Sequence, residues 1–320
     1  MWRWTLRILV ALSGFLILAA LSGVTWQWLA TRRDLASTPP PGRLVDVGGH
    51  RLHLWCMGAG APAVILENGL GGSSAAWGFV QPEAARFTRV CSYDRAGTGY
   101  SDPGPSPRTA RRIASELAEL VDRSGIGRPV VLVAASSGGF NVRVFASDHP
   151  DRVAGLVLVD ASHEDQVHEV PRLARFVPLL SSVGILRLFG VSFGVSLESL
   201  PPSTQRYARA TRFRAAGYQA AADEIMHIRQ SASEVRASRR KLTIPVVVVT
   251  GARGADATWR GLQRDQVTLS ERGCQIVAEQ SSHVVAIDQP QVVVDAIRAI
   301  VKRTRGWDDS PLCRSAVGVR

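Results

Sequence analysis

The chain has 320 residues, 46% of them hydrophobic and 20% charged, which excludes a disordered chain and suits one large α/β domain. Its net charge is +11, yet 36 of the 38 basic residues are arginines spread along the sequence, with no basic run interleaved with aromatics. That scatter argues against a nucleic-acid partner and suits a surface beside anionic lipid. No repeat period of 20–50 residues points to a solenoid. The four cysteines, Cys56, Cys91, Cys274 and Cys313, lie far apart without a CxxC pair; they exclude a zinc ribbon and read as lone buried thiols.

Residues 8–30 carry no charge and are flanked by Arg3 and Arg7 on one side and Arg32 and Arg33 on the other. A helix of that length crosses about 30 Å of hydrocarbon, and Trp2, Trp4, Trp26 and Trp28 sit near its ends, where indoles favour the headgroup layer. The expected reading is a membrane anchor. A signal peptide cleaved near Ala20-Leu21-Ser22 is the alternative. The arginines and free amine before the span put the remainder on the non-cytoplasmic side, or, after cleavage, make it a secreted protein. Residues 34–42, ending Pro39-Pro40-Pro41-Gly42, read as a stiff linker.

Short apolar runs follow at 63–66, 130–133, 156–159 and 245–249, each bounded by Gly, Pro or polar residues. Such runs are strands buried on both faces of a parallel sheet. Between them, Ile113, Leu117, Leu120 and Val121 recur at helical spacing with Gly125 as a stop signal, and Val293, Val294, Ile297, Ile300 and Val301 do the same after Pro290. The alternation predicts an α/β fold with a mostly parallel sheet. Residues 161–241 break this rhythm and predict a helical insertion. The division is therefore an anchor or signal over 1–33, a linker over 34–42, an α/β domain over 43–305 with a cap over about 161–241, and a loosely ordered tail over 306–320.

The chemistry concentrates where the strand Val130–Val133 runs through Ala134-Ala135-Ser136-Ser137-Gly138-Gly139 into a helix. A small-x-Ser-x-Gly turn from strand to helix lifts the serine hydroxyl above the sheet edge, beside free N–H groups of the helix start. Ser136 is the expected nucleophile, although Ser137 also has small neighbours two residues away on both sides. His283, on a loop between the strand-like 275–278 and the last helix, falls on the same sheet edge. His163 and His168 are five residues apart, which does not stack two ligands on one helix face, so no zinc site is expected.

These motifs resemble the α/β-hydrolase superfamily from about Arg43 to Arg303. Asn68-Gly69-Leu70-Gly71-Gly72 is similar to its oxyanion loop, with Asn68 where His is usual, and Tyr93-Asp94-Arg95-Ala96-Gly97-Thr98-Gly99 to a structural signature. Ser281-Ser282-His283 stands where members carry the base. The resemblance implies an α/β-hydrolase fold and a Ser136–His283–acid triad. The acid is Asp160, leaving a strand end, or Asp256, two residues beyond the usual offset in a Gly/Ala loop. It also implies an oxyanion hole from the N–H groups of Leu70 and Ser137, and no cofactor or metal. The implied activity is carboxylic ester hydrolysis on a small or lipophilic ester, with no protein partner expected. Amide or peptide hydrolysis, acyl transfer, or a non-catalytic binding role stand as alternatives. In the cap, Phe176, Leu179, Leu180, Ile185, Leu186, Leu188, Phe189 and Phe193 line an acyl pocket or form the cap's own core.

Overall fold

The structure, a computed structural model, describes residues 2–166 and 169–307; His168, Cys313 and most of the expected tail lie outside them. Eight strands make one sheet in the order β1-β2-β4-β3-β5-β6-β7-β8. They are β1 (Arg43–Asp46), β2 (Arg51–Met57), β3 (Val64–Glu67), β4 (Val90–Tyr93), β5 (Val130–Ala135), β6 (Val153–Val159), β7 (Val246–Gly251) and β8 (Gly273–Ala278). From β4 to β8 all neighbours are parallel, and β1 and β2 add an antiparallel margin. The apolar runs became central strands because both faces are covered. Leu132, Leu156 and Val248 pack into one core, and the intervening Val131, Val157 and Val247 pack into the other, against Val293, Ile297 and Ile300.

β1, β2 and β4 were not foreseen from the sequence. Polar residues interrupt them, including Arg51 and His53, and such short mixed runs give no strong period. The cysteines need correction. Cys56 and Cys91 face each other across β2 and β4 and form a disulfide, and Cys274 is also disulfide-bonded. A separation of 35 residues in the chain conceals an adjacency that only strand pairing creates.

The helices are α1 (Trp2–Ser37), α2 (Gln81–Ala84), α3 (Ala110–Arg123) and α4 (Gly138–Asp148), then, between β6 and β7, α5 (Val177–Ser182), α6 (Ile185–Leu188), α7 (Pro202–Thr211), α8 (Ala215–Met226) and α9 (Ile228–Ser238). After β7 come α10 (Ala257–Val267), α11 (Val285–Asp288) and α12 (Pro290–Thr304). α1 runs on to Ser37, past the point where a linker was expected to begin. Residues 2–22 of α1 are exposed throughout, whereas Gly23, Gln27, Ala30, Thr31 and Asp34 form one helix face covered by the cap. Arg187 of α6 holds that face. It donates to Gln27 Oε1 at 2.9 Å, Thr31 Oγ1 at 3.3 Å and Asp34 Oδ2 at 2.6 Å. Gln27 in turn donates to the Phe213 carbonyl at 2.7 Å.

Candidate active site

Ser136 occupies the turn between β5 and α4 with φ +51°, while Ser137 has φ −59°. An L-residue in the left-handed region costs about 1–2 kcal/mol, so the surrounding structure must impose it. Gly69 approaches until a side chain there would meet Ser136 Cβ at 2.9 Å, and one at Gly138 would collide with the Asn68 carbonyl. The two candidate serines are thereby distinguished: Ser136 is the one lifted above the sheet.

His283 Nε2 lies 2.9 Å from Ser136 Oγ, and its Nδ1 lies 2.7 Å from Asp160 Oδ2. Asp160 follows β6 directly. With φ +42°, it is the other non-glycine residue at positive φ among the described residues. Its second oxygen accepts from the Gly251 N–H at 3.1 Å and from Trp259 Nε1 at 3.0 Å. The carboxylate is buried, while half of the His283 side chain faces the solvent side of the cavity. Asp256, the alternative acid, does not reach His283. It caps α10, accepting from the Trp259 N–H at 2.7 Å.

The base loop is fixed by its own ties. Ser282 donates through N–H and hydroxyl to Asp288 Oδ2, at 2.8 and 2.6 Å. The Ser282 hydroxyl bond, then its N–H, hold the Asp288 carboxyl below its ordinary value. Any side chain at Gly251 would collide with the Ser282 carbonyl, so glycine at the end of β7 lets the His283 loop come close. Opposite, the N–H groups of Leu70 and Ser137 donate to no other group among the described residues. A cavity of about 440 Å³ opens over Ser136 and His283, walled by the 68–73 loop, Trp77, Phe193, the α7 residues Ala208 and Thr211, and Arg212 just after that helix.

The model of the α/β hydrolase fold family matches residues 62–273, well over half of the sequence. The chain belongs to the α/β-hydrolase family. An AB hydrolase superfamily protein of Gibberella zeae is 25% identical over 281 residues, covering 76% of this chain and 87% of that one. Among solved structures, Cfl2 from Burkholderia cenocepacia superposes with TM-score 0.67 at 23% identity, covering 81% of this chain and 95% of that one. A thermophilic esterase from Thermogutta terrifontis gives TM-score 0.64 at 22% identity, covering 83% and 99%. Other curated relatives match over shorter stretches, and there this α/β hydrolase spans only about a fifth to two fifths of their length.

Two features of this α/β hydrolase escaped the sequence reading. The first is Trp259, whose indole orients Asp160 and packs edge-on to the His283 ring with centroids 6.1 Å apart. Its signal was only a tryptophan in the first turn of a helix beside a strand end. The second is the Arg95 clamp. Its fully buried guanidinium donates to the carbonyls of Asn68 (2.6 Å) and Gly69 (2.8 Å), to Glu67 (2.8 Å) and to both oxygens of Glu224 on α8 (2.9 and 2.8 Å). Burial pushes the Glu67 carboxyl up, against the opposing pull of Arg95. Burial also works against the charged Arg95, yet Glu224 and Glu67 hold its pKa above the ordinary value. Asp94 beside it is likewise buried but held low by His53 and the N–H groups of Ser74 and Tyr100.

The expected apolar lining of the cap needs correction. Of the eight cap residues named above, Phe193 lines the cavity, whereas Phe176, Leu179, Ile185, Leu188 and Phe189 are exposed. They are neither acyl pocket nor cap core. His163, considered as a metal ligand, is buried with Nε2 2.7 Å from Asp265 Oδ2.

Proposed function

We propose that this chain is a membrane-anchored serine hydrolase cleaving carboxylic esters, with Ser136 as nucleophile, His283 as base and Asp160 as the orienting acid. The observation that carries this reading is the unbroken hydrogen-bonded chain Asp160–His283–Ser136, with the serine held at positive φ at a strand-to-helix turn. His283 Nε2 takes the hydroxyl proton as Ser136 Oγ attacks the acyl carbonyl, while Asp160 holds Nδ1–H and stabilises the imidazolium. The oxyanion forms at the Leu70 and Ser137 N–H groups, each worth about 3 kcal/mol in such sites. His283 then protonates the departing alcohol, and a water activated by the same nitrogen releases the acid. Trp259 and the Gly251 N–H act through Asp160, keeping its carboxylate turned to the imidazole.

The anchor is assigned to the exposed apolar part of α1, with the catalytic domain outside the cytoplasm. Support for that side comes from the Cys56–Cys91 disulfide, since such bonds persist in oxidising compartments.

The full chain in detergent, treated with a fluorophosphonate and digested for mass spectrometry, tests the chemistry. We expect label on the Ser136 peptide, lost in Ser136→Ala and retained in Ser137→Ala. Absence of label in folded wild type, or label retained in Ser136→Ala, would overturn the assignment. Esters of rising chain length, with matched amides, then separate ester cleavage from amide cleavage.

A further inference from the structure

The anchor helix does more than lead into the domain, because its outer third is built into the cap. The exposed stretch 2–22 is about 31 Å long as a helix, and its charge-free part beyond Arg7, residues 8–22, accounts for about 22 Å of the roughly 30 Å of hydrocarbon. The covered face begins at the next residue. Gly23 lies so close to the cap that a side chain there would collide with the Val183 carbonyl, and one at Gly184 would meet the Trp26 ring at 2.8 Å. With the Arg187 bonds to Gln27, Thr31 and Asp34, these contacts leave no slack between helix and cap. Trp26 and Trp28 are half exposed at this level, and Arg32 stacks on Trp28 at 4.1 Å, as at a headgroup boundary. With α1 as the anchor, the Val183–Gly184 turn lies where the helix leaves the bilayer.

The chain leading into and out of that turn carries apolar side chains that the described residues leave partly or largely exposed. Leu173 is 73% exposed, Phe176 42%, Leu179 62% and Ile185 37%, and the exposed Arg172 and Arg175 are interleaved with the first two. Alternating arginine and large apolar residues suit the boundary between anionic headgroups and acyl chains. We propose that this cap face, centred on Phe176 and Leu179, is seated in the surface of the same bilayer that α1 crosses. Its occupant is lipid, because α1 fixes the face at the bilayer. α7 packs against α1 and also walls the cavity with Ala208 and Thr211, joined by Arg212 at its C-cap. Phe193, 45% exposed, lies at the cavity rim. The cavity thus opens beside the lipid, and its substrates are lipophilic molecules partitioned there. This inference rests on reading α1 as an anchor.

The test uses the full chain in phosphatidylcholine–phosphatidylglycerol vesicles, with an environment-sensitive fluorophore on one introduced cysteine at a time and shallow nitroxide-labelled lipid as quencher. Labels at Leu179→Cys and Phe176→Cys are expected to shift to the blue and be quenched, as is one at Ile17→Cys in the anchor. A label at Arg123→Cys, at the end of α3, is expected to stay unquenched. Quenching at Ile17 without quenching at Leu179 and Phe176 would overturn the seated cap while leaving the anchor standing. No quenching at Ile17 would overturn both.

Discussion

At the carboxyl edge of the sheet, the Asp160 carboxylate is buried and accepts from three donors, His283, Trp259 and the Gly251 N–H. Across the cavity, the cap leaves Leu179 and Phe189 largely exposed and reaches the rest of the chain through charged clamps, Arg95–Glu224 on one side and Arg187–Asp34 on the other. One region gives its buried carboxylate a partner on every side beside the reacting atoms. The other leaves large apolar side chains exposed, the face proposed above to meet lipid. On the proposed reading the contrast separates two tasks: the sheet edge fixes the positions of reacting atoms, while the cap fixes where the cavity sits and what reaches it.

The sharpest way to break this division is Asp160→Asn. If the sheet edge holds the chemistry, kcat for a soluble ester falls about 10⁴-fold, as expected when an imidazole loses its orienting carboxylate, with the melting temperature little changed. Next is Arg95→Met, which removes the guanidinium between two buried carboxylates. Stripping one partner from such a cluster costs about 3–5 kcal/mol, readable as a lower urea midpoint. Arg187→Ala should cost less, about 2 kcal/mol for charged hydrogen bonds at a partly buried site, and should speed proteolysis of the cap in the full chain. The smallest effect belongs to Asp256→Ala. Losing a helix cap costs about 1 kcal/mol, and kcat should stay within about twofold of wild type if Asp256 plays no part in orienting His283.

The central sheet was readable because continuous valine-rich runs bounded by turn residues have few other stable uses. The elbow was readable for a related reason: small residues around a serine between strand and helix are a steric requirement. Asp160 could be weighed only as one of two acids, since its advantage over Asp256 comes from the spatial meeting of β6, β7 and the His283 loop. Trp259 offered only its place in the first turn of a helix after a strand end, which says nothing of a bond to Asp160. The Cys56–Cys91 bond was hidden because the pairing of β2 with β4 that joins them leaves no trace in spacing. Gln27 was the overlooked sign within the apolar N-terminus. An amide in an otherwise uncharged span is costly in hydrocarbon, and here it is a cap contact instead.

The peptide unit of Ser136 is bonded on both sides to the end of β6, its N–H donating to the Val159 carbonyl and its carbonyl accepting from the Ser162 N–H. No side chain takes part in either bond. Side-chain replacements in the cap, the cavity lining or the helix that docks on it leave both bonds in place, so the spacing between Ser136 and the segment that carries Asp160 does not depend on them. A lineage built on this backbone is free to exchange substrates without having to rediscover its reacting geometry.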